Sequence, residues 1–213
     1  MNAGESDLVV LVADRNMEYA MSGLLLRPEA LRIRRPQFRV YAHPEHDPGC
    51  FLNAHGFLRP MIPVYRHGLV IFDYHGCGRE MRLNATKVEE DARCRLANSG
   101  WGDRAGVVVI EPELESWVWS DSPHVDRCLG WEGRDPSLRT WLRKNNYWTE
   151  DTLKPADPKA AVQAALREMG KPRSSSIYHQ LAQTVSLDRC TDPAFNRLKC
   201  LLQRWFPAQE KCK

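Results

Sequence analysis

Three segments of the chain are apolar without interruption and rich in β-branched residues: Leu8-Val9-Val10-Leu11-Val12, Leu69-Val70-Ile71-Phe72 and Val107-Val108-Val109-Ile110. Short runs of this kind predict strands buried on both faces. An acid follows each of them, namely Asp14, Asp73 and Glu111. Between the strands the pattern changes to a helical period. After Asn16, a predicted cap, Met17, Tyr19, Met21, Leu24 and Leu25 fall toward a core, and Pro28 stops the helix. Thr86 to Asn98 repeats the arrangement with Val88, Ala92 and Leu96 on one side and Gly100 as the stop.

Phe38-Arg39-Val40-Tyr41-Ala42 alternates and predicts a second, edge strand. His43 to Gly49 is expected to be a loop, and Cys50 to Tyr65 to begin as a helix that Pro60 and Pro63 break. Pro112 stands where a helix from Glu113 to Trp119 would start. Beyond residue 122 the pattern is helical: Leu138 to Asn145, Pro158 to Met169, Ile177 to Val185 and Asp192 to Phe206. Asp157-Pro158 and Asp192-Pro193 each supply a cap followed by a first-turn proline. Lys171 to Ser176 is the expected link.

Strands alternating with helices predict an α/β fold, a mostly parallel sheet flanked by helices, with the ligand site outside the carboxyl ends of the strands. Residues 6–121 form the expected core and residues 122–213 a helical C-terminal extension packed on it. At 213 residues the chain suits one domain.

Composition narrows the partners. No apolar run approaches the roughly 20 residues a bilayer needs, and the N-terminus lacks a basic head followed by an apolar stretch, so a cytoplasmic location is expected. The seven cysteines stand singly, with no C-x-x-C pair, which argues for reduced thiols over a disulfide framework or a zinc ribbon. A net charge of +3 does not by itself call for a nucleic-acid partner. Charge is nevertheless uneven. Arg32, Arg34, Arg35 and Arg39, with Arg27 nearby, are candidates for holding a phosphate backbone, or else a solvated or protein-docking face.

Acids at adjacent strand ends suit magnesium or manganese, which take oxygen ligands. Asp14 and Glu18 straddle the first strand-to-helix turn. Asp73 and His75 are two apart, so an extended backbone would point both to one side, and His75 could bind metal, act as acid or base, or orient a water. Glu111, Glu113 and Glu115 crowd the third strand end, where one or two are expected to be ligands and the others to complement a helix dipole. His43, His46 and Asp47 are a metal-like cluster in composition, but without a partner pair at zinc spacing a polar loop is the better reading. The seven tryptophans are expected mainly in the core, with base stacking as the alternative.

The segments Leu11-Val12-Ala13-Asp14-Arg15-Asn16-Met17-Glu18, Ile71-Phe72-Asp73-Tyr74-His75 and Glu111-Pro112-Glu113-Leu114-Glu115-Ser116-Trp117 resemble the Toprim-like nucleases related to the overcoming-lysogenization-defect family. Asp157-Pro158-Lys159, Ile177-Tyr178 and Pro193-Ala194-Phe195 resemble the helical end of small stand-alone members in prokaryotic defence systems, with the methylation-associated proteins nearest in size and pattern. The resemblance implies a Toprim-like core and a metal-dependent nuclease of an anti-phage system, working on nucleic acid, with DNA as the expected class, beside other defence proteins. It implies Asp14, Glu18, Asp73, Glu111 and Glu113 as ligands of magnesium or manganese, with Glu18, Asp73 and His75 in the chemistry. Two positions depart from the family pattern: Ala13-Asp14 replaces a glutamate-glycine, and His75 replaces the second acid of a D-x-D pair. Such exchanges alter metal preference or mark an inactive, structural subunit.

Overall fold

A computed structural model describes residues 6–208. Cys212 and the first five residues, on which the expectations about thiols and the N-terminus partly rest, lie outside them. Four parallel strands form one sheet in the order β2-β1-β3-β4: β1 Ser6–Val12, β2 Phe38–Ala42, β3 Tyr65–Asp73 and β4 Ala105–Ile110. The three apolar runs become the three inner or fully covered strands, with Leu8 to Val12 and Leu69 to Phe72 wholly buried. The alternating segment is one edge strand, in keeping with its half-polar pattern, and the fully buried β4 is the other.

Helices α1 (Arg15–Leu25), α2 (Pro28–Leu31), α3 (His46–Leu58) and α4 (Ala85–Leu96) fall between the strands. After β4 come α5 (Pro123–Leu129), α6 (Leu138–Lys144), α7 (Pro158–Glu168), α8 (Ser175–Thr184) and α9 (Pro193–Trp205). The sheet is covered on both sides. Gly68 and Gly106 stand on opposite faces, because Gly106 lies opposite Leu69 in register and Gly68 opposite Ala105. A Cβ on Gly68 would press the Trp101 ring, just after α4, at 3.2 Å, and one on Gly106 would run into Leu201 of α9. The Trp101 ring on one face and Leu201 of α9 on the other therefore pack directly onto the sheet at its two glycines.

Capping explains most of the helix starts. Asp157 and Asp192 accept from the first-turn amides of α7 and α9, as the Asp-Pro pairs predict. The first helix differs, because Asp14 rather than Asn16 is its cap, accepting from Met17 N at 2.9 Å. Asn16 lies inside α1 and accepts instead from Ser175 Oγ at 2.8 Å. Two further expectations are corrected. The segment expected as a loop ends at Glu45, since His46 to Gly49 form the first turn of α3, where Pro48 costs no hydrogen bond. The helix expected from Glu113 to Trp119 is a single tight turn, Leu114–Trp117. Its residues are buried against later helices, and packing there prevails over the proline signal.

The C-terminal helices return to the core. Arg27, one of the clustered arginines, donates through Nη1 to the carbonyls of Ala182 and Val185 at 2.8 and 2.9 Å, tying α8 to the end of α1. Trp101, Trp117, Trp119, Trp131 and Trp148 are buried, and Trp141 and Trp205 pack against the core. The six described cysteines are free thiols. Among the described residues no helix is long and apolar enough to cross a membrane.

Candidate metal centre

In the strand order β2-β1-β3-β4 the chain leaves β1 toward one edge and returns past it to β3, so the crevice between the carboxyl ends of β1 and β3 is where the order reverses. Val12 lies opposite Ile71, and Asp73 opposite Ile110, which brings the three strand ends level. Pairing continues past the sheet proper, as Tyr74 N donates to Ile110 O at 2.8 Å and His75 N to Pro112 O at 3.0 Å. These bonds hold the segment after β4 beside Asp73. The turn Leu114–Trp117 then carries Glu113 and Glu115 inward.

Asp73, Glu113 and Glu115 each offer a carboxylate oxygen within 4.8 Å of the others. Glu113 and Glu115 are buried, and Asp73 Oδ1 is buried with no hydrogen-bond partner, although part of the residue keeps some exposure. Asp47, in the first turn of α3, accepts from Asp73 N at 2.8 Å and adds a fourth carboxyl group at the same strand end. Burial, then the charges of Asp47, Glu115, Asp14 and Glu113, push the Asp73 carboxyl well above its ordinary range. Burial is also the main cause of the upward shifts of Asp47 and Glu115. Like charges crowded out of water must take up protons or a cation.

The C-terminal helices supply part of that compensation. Lys159, in the first turn of α7, donates to Glu113 through its amide at 3.1 Å and its ammonium at 3.2 Å. Burial works against the Lys159 charge, but the Glu113 and Glu115 carboxylates outweigh it and raise its pKa. Tyr178 of α8 donates to Glu115 Oε1 at 2.5 Å, and burial with the adjacent carboxylate pushes its own hydroxyl far up. Neither helix group reaches the orphaned oxygen of Asp73. All donors at the centre are oxygens, and the buried triad could hold a divalent metal ion.

No family model matches the chain, and neither a curated protein nor a solved structure does. The site is therefore read from its own atoms. Of the residues singled out in the sequence, Asp73 and Glu113 come together, and Asp14 stands close enough to raise the Asp73 and Asp47 carboxyls while its own oxygen caps α1. Glu18 lies half-buried in the first turn of α1, outside the close triad. His75 is exposed and outside the close triad: β3 ends at Asp73, and a turn closed by Cys77 N on Tyr74 O follows, so the extended backbone on which its pairing with Asp73 depended does not continue. Glu111, directly after β4, is exposed. Arg34 is engaged by Asp7 at the amino end of the sheet, and exposed Arg32 pairs with Asp188 at 3.5 Å. Arg35 and Arg39 are exposed before and within the edge strand, away from the acidic centre.

Four contributors carried weaker signals. Glu115 is one of three candidates at its strand end, and Asp47 falls in the segment expected as a polar loop. The starts of α7 and α8 contain Lys159 and Tyr178, but nothing local to those segments points toward strand ends 46 and 63 residues earlier.

Proposed function

We propose that this protein is a divalent-metal-dependent phosphodiesterase acting on nucleic acid, a cytoplasmic nuclease of an anti-phage system as its Toprim-like sequence pattern implies. The observation that carries the reading is the buried, unpartnered Oδ1 of Asp73 beside Glu113 and Glu115 at the reversal point of the sheet. A buried carboxylate oxygen without a donor is costly, and a hard cation is the partner an all-oxygen site selects. Asp73, Glu113 and Glu115 would hold magnesium or manganese, with Asp47 and Asp14 adding negative charge around them. When bound, such an ion supplies Lewis-acid polarisation of a phosphoryl oxygen and lowers the pKa of water. The chain's own groups set the stage: Lys159 fixes Glu113, Tyr178 fixes Glu115, and the Asp47 carboxylate anchors the Asp73 backbone.

A second reading, a non-catalytic subunit of a defence assembly, is favoured by one observation: Lys159 and Tyr178 already engage two of the three carboxylates. The two readings separate in a thermal-shift titration. Magnesium or manganese at millimolar concentration should raise the melting temperature by mass action if the site is real. No shift, together with no cleavage of single- or double-stranded DNA or RNA, would leave the structural subunit.

A further inference from the structure

Beside the turn that carries Glu115, Ser116 and Ser120 help to line a cleft of about 260 Å³ together with Asp121, Arg139, Lys154 and Arg189. The two serines are 2% and 7% exposed, and their hydroxyl oxygens have no hydrogen-bond partner. Buried hydroxyls left unpaired are unfavourable unless a ligand or water completes them. Three cations face the same space. Arg139 is set by the Asp121 carboxylate at 3.5 Å, the Ser120 carbonyl at 3.4 Å and the Trp148 ring at 5.1 Å. Arg189 donates to the Asp121 carbonyl at 3.1 Å, and Lys154 to Asp192 Oδ2 at 2.6 Å. Against the carboxylates of Asp121 and Asp192 these cations leave a surplus positive charge.

We propose that this cleft is a phosphoryl-binding site that takes a terminal phosphate monoester. Two hydroxyls, two guanidinium groups and an ammonium call for a ligand with several acceptor oxygens around one centre. A monoester offers three terminal oxygens and close to two negative charges, whereas a diester or a carboxylate offers two oxygens and one charge. A second cleft shares Ser116, Leu153, Lys154 and Thr191 with the first and extends it along Glu111, Pro112 and Pro158, leaving room for the group that carries the phosphate. The site is independent of the acidic centre, since nothing in it requires a metal.

The test is calorimetric titration of the full chain in excess chelator with inorganic phosphate, a nucleoside 5′-monophosphate, and one short DNA strand with and without a 5′-phosphate. Phosphorylated probes should bind, and the tightest of them names the source of the phosphate. Ser120→Ala and Arg189→Gln should each weaken that binding about tenfold or more. Ser120→Ala should at the same time hold or raise the melting temperature, because it removes an unpaired buried group. Asp73→Asn should bind as the wild type does, which separates this site from the metal reading. No binding by any phosphorylated probe, equal binding of the unphosphorylated strand, or undiminished binding by both variants would overturn the proposal.

Discussion

The two ends of the sheet treat the same side chain in opposite ways. At the amino end, Asp7 is gripped by both Nη atoms of Arg34, at 2.6 and 2.9 Å, and accepts from Gln37 N at 2.8 Å. The Arg34 hydrogen bonds outweigh burial and hold its carboxyl below the ordinary aspartate value of 3.8. At the carboxyl end, Asp73 faces four other carboxyl groups, keeps one oxygen unpartnered, and is pushed the other way. A charge that serves the fold is neutralised by a neighbour the sequence provides. A charge left without one stores unfavourable energy that a ligand can release, and perturbed acids of this kind mark candidate sites.

The sharpest way to break this contrast is Asp73→Asn. The amide keeps the volume and removes the charge. It should abolish both metal-dependent cleavage and the melting-temperature rise caused by magnesium or manganese. Equal metal response in wild type and variant would move the site elsewhere.

Next in size is the structural end. Arg34→Ala removes a bidentate partner of Asp7 and a cation that lies 5.0 Å over the Phe206 ring. With the pair partly exposed, at 32% for the arginine side chain and 13% for the aspartate, the expected loss is about 1–2 kcal/mol in denaturant unfolding. Metal response should be unchanged. A loss of metal response in this variant would show that the two ends are coupled.

The pH dependence of stability should have opposite signs at the two ends. Asp7, with its folded pKa lowered, contributes stability that is present above its unfolded value and lost as pH falls through the folded one. Asp73, with its pKa raised, contributes favourably only while protonated, so stability is lost as pH rises from the unfolded value through the folded one. In chelator, the wild type should therefore lose stability relative to Asp73→Asn as pH rises above the ordinary carboxylate range. Saturating metal should reverse the difference. A pH-independent gap between the two proteins would show that Asp73 is not the strained acid.

Much of this contrast can be seen in the sequence, and the limit has a physical cause. Buried strands write themselves as apolar runs, so β1, β3, β4 and their terminal acids were legible, and Asp-Pro pairs announced α7 and α9 through local capping. Alternation stops where a strand stops, so spacing alone does not tell that His75 and Glu111 are exposed while Asp73, Glu113 and Glu115 form the close triad. Lys159 and Tyr178 arrive by tertiary return of α7 and α8, for which no local pattern exists. Asp47 was hidden by Pro48 and Gly49, residues that look like a turn but fit the first turn of a helix.

The smallest expected effect concerns the exposed arginines that belong to neither end. Arg35 and Arg39 are exposed, so Arg35→Gln and Arg39→Gln should change stability by less than about 0.5 kcal/mol. Their worth, if any, lies in long-range attraction to a polyanion. Arg39 lies opposite Val9, mid-strand on the edge of the sheet, and Arg35 precedes that strand. A nucleic acid seated in the acidic crevice would have to run along this edge to meet both. If it does, each substitution should weaken binding uniformly across sequences and lower the slope of log affinity against log salt by about one. Cleavage at saturating substrate should stay at the wild-type rate, because neither arginine stands beside Asp73. Unchanged salt slopes in both variants would assign the strip to solvent or to a protein partner, and the phosphate contacts would then have to come from the carboxyl end alone.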